Sequence, residues 1–101
     1  MIASVQQIKY ELLAYMKELG GTFGDYVVGI AGDPREVLSK IHHVNLQVDP
    51  WIYKQALSFS AARTVRTYFV EKLNVDGAPE GSTSDDTDCV YLYRKSVGTR
   101  P

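Results

Sequence analysis

Three short runs of apolar, β-branched and aromatic residues alternate along the chain with three segments of helical periodicity. The runs cover residues 26–31, 51–57 and 89–94, and turn-forming residues bound each of them. Runs of this length and composition are typical of strands, and helices between strands favour a sheet that helices cover. The sequence therefore predicts an α/β fold with a small mixed sheet of about three strands, in the order helix, strand, helix, strand, helix, strand.

The first two helical segments carry the residues that begin and end helices. Over residues 4–19 the apolar side chains recur every three or four positions, Ser4 is placed to cap the helix, and Gly20 ends it. Asp33 is placed to cap the second helix, and Pro34 suits its first position. Both helices are therefore predicted with defined starts.

The remaining segments are less regular. Either Ser58 or Ser60 begins the third helix, and a long polar loop over residues 74–88 separates that helix from the last strand. Apolar and polar side chains alternate over residues 44–48, which is compatible with a short edge strand or with an extended segment. Residues 96–101 form a tail without a core pattern, and we expect the deletion of residues 97–101 to leave stability nearly unchanged.

Composition restricts the class of protein and its partners. A chain of 101 residues with 45% apolar and 23% charged residues is expected to form one globular domain over residues 1–101. The formal net charge of −1 excludes nucleic-acid binding through bulk positive charge and leaves a local basic patch open. No apolar run reaches the roughly 20 residues of a membrane span, and the N-terminus lacks the apolar core of a signal peptide. We therefore expect a cytoplasmic protein without a membrane partner.

The chain has few side chains that bind metals or act as nucleophiles. Cys89 is its one cysteine, and His42 and His43 are its two histidines. Neighbours on a helix point about 100° apart, so the two histidines are poorly placed to share a metal. The sequence predicts no cofactor and no metal site. A favourable charge at a helix end is the preferred role of the histidines, and a catalytic role for one of them is the alternative.

Two arginines on the third helix are the best candidate for a local basic patch. Arg63 and Arg66 are three residues apart and share a helix face. Trp51 and Tyr53 on the preceding strand and Tyr68 on the third helix are candidates for stacking on nucleobases. Buried aromatic rings and solvated arginines are the alternative interpretation. The seven tyrosines of the sequence are compatible with a protein interface and also with half-buried strands.

Several short motifs follow one another between residues 22 and 95. They are the run over residues 26–31, the turn Asp33-Pro34, a helix that reaches His42-His43, and residues 51–53, 60–63, 68–69, 76–77 and 90–93. In this order and spacing they resemble GIY-YIG nuclease-like domains, and more specifically a group of small bacterial and phage proteins of that superfamily.

The resemblance implies a small sheet flanked by helices, and metal-dependent cleavage of phosphodiesters by a tyrosine, an arginine and a metal-binding glutamate. The positions that match those three residues hold Val27, Val37 and Arg66 in this chain. An arginine repels the cation that a glutamate would bind. Tyr26 is next to Val27, and Arg35 lies two residues before Val37. A shift of one position on a strand or of two positions on a helix turns a side chain away from the expected direction, so neither residue takes the place of the missing group. We therefore expect no metal-dependent nuclease activity.

The first hypothesis is a catalytically degenerate GIY-YIG-like domain that binds without cutting. Its groove would hold nucleic acid or a phosphorylated ligand, because arginine and phosphate form strong charge-assisted hydrogen bonds without a metal. The residues expected to line that groove are Tyr26, Arg35, Tyr53, Arg63 and Arg66.

Two further hypotheses stay open. The near-neutral net charge favours a protein-binding module, either a phage-type inhibitor or a homodimer, that uses exposed tyrosines and the N-terminal helix. The other hypothesis is a residual metal-dependent endonuclease that relies on Tyr26, Arg35 and His42. The salt dependence of binding separates a phosphate ligand from a tyrosine-rich protein interface.

Overall fold

A mixed sheet of five strands forms the centre of the part of the chain that the computed structural model describes, residues 2–79 and 86–101. The strands are β1 (Ile2–Ala3), β2 (Tyr26–Ala31), β3 (Trp51–Ala56), β4 (Asp76–Gly77) and β5 (Cys89–Arg94). The helices are α1 (Val5–Leu19), a 3₁₀ turn (Phe23–Asp25), α2 (Pro34–Glu36) with a π-helical continuation (Val37–Ile41), and α3 (Phe59–Leu73). The predicted α/β class is confirmed.

The last strand of the chain occupies the middle of the sheet. The strand order is β1-β3-β5-β2-β4, with β5 antiparallel to both β3 and β2. The two outer pairs, β1 with β3 and β2 with β4, are parallel. Residues Cys89 to Tyr93 are all buried, which agrees with the nearly continuous apolar composition of that run.

One side of the sheet, which we call the helix face, packs against α1 and α3. Side chains of alternate strand residues point to it, among them Val28 of β2 and Leu92 of β5. The apolar stripes of the two helices lie on these strand residues and exclude water. The helical side chains buried there are Ile8, Leu12, Met16, Ala62, Val65 and Phe69.

The opposite side, which we call the tyrosine face, carries Tyr53, Tyr91 and Tyr93. It packs against Leu38 of the π-helical segment and Val44 of the following turn, and so forms a second, smaller core. The two cores share the sheet but differ in chemistry, because hydroxyl-bearing rings replace aliphatic side chains on the tyrosine face.

The predicted helix starts are confirmed. Ser4 Oγ accepts a hydrogen bond from the Gln7 backbone N–H at 3.2 Å, and Asp33 Oδ1 accepts one from the Glu36 N–H at 3.3 Å. Of the two candidates for the third helix, Ser58 is the cap: its Oγ accepts from the Ala61 N–H at 3.1 Å. Local capping chemistry thus defines these boundaries.

Three sequence-based expectations need correction. The predicted sheet of about three strands has five, because β1 and β4 have two residues each and are too short to leave a periodic pattern. Residues 44–48 form neither an edge strand nor one extended segment: residues 46–48 are a turn, with the Asp49 N–H bonded to the Asn45 carbonyl at 2.8 Å. The polar loop includes β4, and its residues 80–85 lie outside the described part of the chain.

The C-terminal segment forms hydrogen bonds with the rest of the domain. The Arg100 N–H donates to the His42 carbonyl at 2.7 Å, and the Arg100 carbonyl accepts from the Tyr93 hydroxyl at 3.0 Å. These hydrogen bonds at Arg100 go against the expectation that deletion of residues 97–101 leaves stability nearly unchanged. Within residues 2–79 and 86–101, no helix has the length and apolar character needed to cross a membrane.

Candidate binding surface and buried histidine cluster

Three side chains on the tyrosine face form a half-exposed surface that we call the Arg35 surface: Arg35, Trp51 and Tyr53. The Trp51 and Tyr53 rings are parallel within 3°, with centroids 6.2 Å apart. The Arg35 guanidinium carbon lies 5.5 Å from the Trp51 ring centroid and 5.9 Å from that of Tyr53. Both distances are within the range of cation–π attraction.

Regular secondary structure positions this surface. Trp51 and Tyr53 are two residues apart on β3, so both point to the same face. The Trp51 Nε1–H donates to the Leu46 carbonyl at 2.8 Å, which holds the indole in place. Arg35 lies in the first turn of α2, where the Asp33 cap orients the backbone. The indole is therefore oriented by a hydrogen bond, and Tyr53 lies on the same face of the strand beside it.

The Arg35 guanidinium keeps its hydrogen-bonding capacity available. Among residues 2–79 and 86–101, no hydrogen bond or ion pair to the Arg35 guanidinium is present, and its contacts are those with the two rings. A guanidinium beside aromatic rings still presents its N–H donors in the fork that matches phosphate or carboxylate oxygens. The surface can thus bind an oxyanion and stack on a flat ring.

A second cluster on the tyrosine face, which we call the histidine cluster, is buried. His42 is 2% exposed, and its Nε2 lies 2.7 Å from the Tyr91 hydroxyl. Its Nδ1 lies 2.7 Å from the Arg100 carbonyl and 3.2 Å from the Tyr93 hydroxyl. A Cβ at Gly29 would overlap the Tyr91 hydroxyl, so the glycine of β2 provides the space in which this ring reaches His42.

The partners of His42 define its neutral tautomer. A carbonyl oxygen only accepts, so Nδ1 carries the proton and donates it to the Arg100 carbonyl. In the neutral imidazole, Nε2 then has no proton and accepts the hydrogen bond of the Tyr91 hydroxyl. The Tyr93 hydroxyl donates to the Arg100 carbonyl. Each proton of the cluster therefore has an acceptor.

Burial keeps both tyrosine hydroxyls of the cluster neutral. It raises the pKa of Tyr93 from 10.0 to about 12, and it raises the pKa of Tyr91 further still, although the charge of Arg66 opposes the Tyr91 shift. The charged phenolate loses hydration in this environment and is disfavoured. These hydroxyls act as hydrogen-bonding groups and are poorly suited to attack a phosphate.

The structure places Tyr26 away from the other predicted site residues. Its ring is buried in the helix-face core, and its hydroxyl donates to the Gly20 carbonyl at 2.7 Å. Burial raises its pKa, against an opposing effect of Arg94. Arg35, Tyr53 and His42 belong to the opposite face, so the three candidates for residual catalysis, Tyr26, Arg35 and His42, do not meet in one site.

The arginine pair lies apart from the Arg35 surface as well. Arg63 and Arg66 belong to α3, and Arg66 Nη2 donates at 2.6 Å to the carbonyl of Ala78, a residue of the second core. Lys54 of β3 forms an ion pair with Glu11 of α1 at 3.2 Å. Of the five predicted binding residues, the structure brings together Arg35 and Tyr53.

Sequence reasoning missed Tyr91 and Tyr93 as site residues. Their two-residue spacing on a strand does indicate a common face, but it does not show which of the two faces also receives His42. In the described ranges, no group of three or more His, Cys, Asp and Glu side chains could hold a metal ion.

Comparison with known proteins assigns no family: no family model, no curated protein and no solved structure matches the chain. The resemblance to GIY-YIG nuclease-like domains therefore stays a prediction from the order of its motifs. Any functional assignment has to come from the chemistry of the two clusters on the tyrosine face.

Proposed function

We propose that this domain binds single-stranded nucleic acid on the Arg35 surface and does not cut it. The observation that carries the proposal is the Arg35 guanidinium over two parallel, half-exposed rings, with no carboxylate of the described residues paired to it. The proposal keeps the hypothesis of a degenerate GIY-YIG-like domain and relocates its binding site to Arg35, Trp51 and Tyr53.

The chemistry of this surface fits a single strand in two ways. A phosphate accepts charge-assisted hydrogen bonds from the edge of a guanidinium. An unpaired base can stack on an aromatic ring whatever the nucleic-acid sequence. This stacking contributes about 1–3 kcal/mol per base. In a duplex the bases are stacked on each other and are not free for Trp51 or Tyr53. The surface therefore favours single strands over duplexes.

Lack of cleavage follows from the residues at the positions where the resemblance expects catalytic groups. Val27 and Val37 have no functional group, and Arg66 repels a divalent cation. The neighbouring Tyr26 hydroxyl is bonded to the Gly20 carbonyl on the opposite side of the sheet from Arg35. Binding without hydrolysis is the activity that these residues support.

The near-neutral charge of the chain sets the expected affinity and salt dependence. With one guanidinium at the surface, few phosphates are neutralised, so the logarithm of the binding constant should fall with the logarithm of salt concentration with a slope of about −0.7 to −1.4. Stacking contributes a part that salt does not remove. We thus expect modest affinity with a shallow but measurable salt dependence.

The test is a fluorescence-anisotropy titration of a labelled single-stranded oligonucleotide at several salt concentrations. We expect Arg35→Ala to weaken binding about tenfold, because it removes a charged hydrogen-bonding partner. Lys72→Ala is the matched control: it removes the same charge from an exposed position on α3. Arg35→Lys keeps the charge without the planar fork and should give an intermediate affinity.

Equal weakening by Arg35→Ala and Lys72→Ala would contradict the proposal, because it would reduce binding to unspecific attraction between charges. Tighter binding of a duplex than of the single strand would also contradict it. Metal-dependent cleavage of the oligonucleotide during the titration would contradict the proposal that the domain binds without cutting.

A protein-binding module is the second candidate function. Arginine, tryptophan and tyrosine are the residue types that contribute most to protein interfaces, and all three occur together on the Arg35 surface. This candidate predicts a partner whose affinity changes little between low and moderate salt. The absence of saturable oligonucleotide binding in the titration would favour this second candidate over the first.

A further inference from the structure

A cleft of about 680 Å³ lies where α1 ends and the chain turns into β2, and no function discussed above uses it. Its apolar side chains are Leu13 and Met16 of α1 and Phe23 of the 3₁₀ turn, and Tyr26 at the start of β2 also lines it. Leu13 is half-buried and Phe23 is 40% exposed, so apolar surface here stays open to a ligand. The side chains of α1 and Tyr26 belong to the helix face, so the cleft is separate from the Arg35 surface.

A turn of two glycines forms one side of this cleft. Gly20 and Gly21 both line it, with φ of +86° and +84°, a backbone conformation that favours glycine. A Cβ at Gly21 would come within 2.6 Å of an Asp25 carboxylate oxygen, so a larger residue would not fit there. The Tyr26 hydroxyl donates to the Gly20 carbonyl and joins the turn to β2. Two of the lining residues thus contribute no side chain, which leaves space for a ligand.

Lys17 determines the charge of the cleft. Of the described residues that line it, Lys17 alone is charged, and it is exposed in the last turn of α1. Within residues 2–79 and 86–101, its ammonium has no hydrogen bond or ion pair. The flexible four-carbon stem of a lysine lets the ammonium reach an anion near the cleft. An uncompensated positive charge beside apolar surface favours a ligand of the opposite charge.

The other charges near the cleft limit the ligand to one negative charge. The Asp25 carboxylate and the Arg94 guanidinium both lie next to Gly21, so their opposite charges offset each other. Glu18 is exposed and points about 100° away from Lys17 around the helix axis. A monoanion therefore balances Lys17. A dianion would bring excess negative charge to the C-terminal end of α1, where the helix dipole disfavours it.

The described residues next to positions 80–85 lie far from this cleft. Pro79 and Thr87 lie beside Ala31, at the opposite end of β2 from Tyr26. At about 3.3 Å per residue, the two ends of β2 are roughly 16 Å apart. Ile2, the first described residue, precedes the N-terminal end of α1, whereas the cleft lies at the C-terminal end of that helix. The charge of the cleft can therefore be read from described residues.

We infer that this cleft binds an amphipathic monoanion with an alkyl chain, such as a medium-chain carboxylate, whose charged group pairs with Lys17. The chain lies against Leu13, Met16 and Phe23, and burial of its methylene groups contributes most of the affinity. The volume of about 680 Å³ is within the roughly 300–1,000 Å³ of ligand pockets. Exposed ion pairs are weak, so Lys17 acts mainly by selecting the sign of the ligand charge.

The test is an NMR titration of the isotope-labelled full chain at neutral pH with octanoate, hexanoate and octylammonium, each below the concentration at which it forms micelles. We expect octanoate to shift the amide signals of residues 13–26 saturably, with a dissociation constant of about 1 mM or lower. Hexanoate is two methylene groups shorter and should bind about tenfold more weakly. Octylammonium has the chain of octanoate with the opposite charge, and it should bind several-fold more weakly than octanoate.

Two variants separate the role of the charge from that of the apolar wall. Lys17→Ala should weaken octanoate binding several-fold and strengthen octylammonium binding, because it removes the positive charge. Lys72→Ala is the matched control: it removes the same charge from the last turn of α3 and should leave both affinities unchanged. Phe23→Ala removes an exposed part of the apolar wall and should weaken the binding of both ligands alike.

Three results would overturn the inference. The first is the absence of a saturable shift at residues 13–26 with octanoate. The second is equal affinity for octanoate and octylammonium in the native chain. The third is an equal effect of Lys17→Ala and Lys72→Ala on octanoate binding. Because the Arg35 surface does not enter this experiment, its outcome is independent of the nucleic-acid titration.

Discussion

The two faces of the sheet are packed with different kinds of side chains. On the helix face, long helices place aliphatic and phenyl side chains such as Leu12 and Phe69 against Val28 and Leu92. On the tyrosine face, one short helix and a turn cover part of the sheet, and the rings of Tyr91 and Tyr93 are joined to His42 by hydrogen bonds.

The helix face therefore contributes mainly stability, whereas the tyrosine face carries the groups that can bind a ligand. An aliphatic core tolerates no water and offers no directional contacts, so its contribution is stability. Buried hydroxyl and imidazole groups cost stability unless each is satisfied, and when satisfied they fix one arrangement of the surrounding side chains. The tyrosine face is also where the aromatic rings stay half-exposed beside Arg35. Variants of the two faces should therefore fail in different ways.

The largest expected effect comes from the helix face. Phe69→Ala removes a fully buried ring from α3 and should lower the free energy of unfolding by about 3–5 kcal/mol. Chemical denaturation of the variant and the native chain measures this loss. A loss below about 1 kcal/mol would mean that α3 contributes little to the core, and the comparison of the two faces would fail.

Alkali should act chiefly through the tyrosine face. Burial raises the pKa of the Cys89 thiol from 9.0 to about 11 and that of Tyr93 from 10.0 to about 12. The unfolded chain loses these protons at lower pH than the folded chain. Stability should thus be unaffected below about pH 9 and fall as pH rises through 11 and 12, by at most about 1.4 kcal/mol per pH unit for each group.

Urea denaturation at pH values from 8 to 11 checks this expectation. Cys89→Ala is the informative control, because it removes the thiol and should reduce the loss between pH 9 and 10, where the tyrosines still contribute little. A midpoint that stays constant up to pH 11 would show that neither group is shielded from water in solution.

A smaller effect is expected from shortening the C-terminus. Removal of Arg100 and Pro101 eliminates the carbonyl that accepts from His42 and Tyr93. The loss should be about 1–2 kcal/mol, because buried donors are left with a poorer partner. Pro101→Ala is the control and should be nearly neutral, since it leaves the Arg100 carbonyl as a peptide carbonyl. Equal stability of the truncated chain and Pro101→Ala would contradict this role of Arg100.

Most of the regular fold was predictable because local rules determine it. The caps at Ser4, Asp33 and Ser58 and the strand runs follow from side-chain chemistry within a few residues. The edge strands β1 and β4 were not predictable, because pairs of two residues depend on the neighbouring strand and not on their own sequence.

The candidate site was predictable only in part, for a related reason. Tyr53 and Arg35 were chosen as aromatic and basic residues, and the fold does bring them together. Tyr26 looked equivalent to Tyr53 in sequence, but the alternation of β2 turns it to the helix face. His42 joins Tyr91 across 49 positions of the sequence, a contact that no local pattern reveals.

The smallest expected change in stability belongs to Arg35→Ala. This variant tests the central claim, that the tyrosine face binds single-stranded nucleic acid at Arg35, Trp51 and Tyr53. Trp51 is the one tryptophan of the chain, so its fluorescence reports on this surface alone. Arg35→Ala should leave the free energy of unfolding within about 0.5 kcal/mol, because the side chain is exposed, and so any change in binding reflects the surface itself.

The most direct measurement is therefore the Trp51 emission during a titration with an unlabelled single-stranded oligonucleotide. The account predicts saturable quenching in the native chain, the same quenching in Lys72→Ala, and about tenfold more oligonucleotide needed in Arg35→Ala. An emission that stays constant while the oligonucleotide binds, or an oligonucleotide that does not bind at all, would contradict the account.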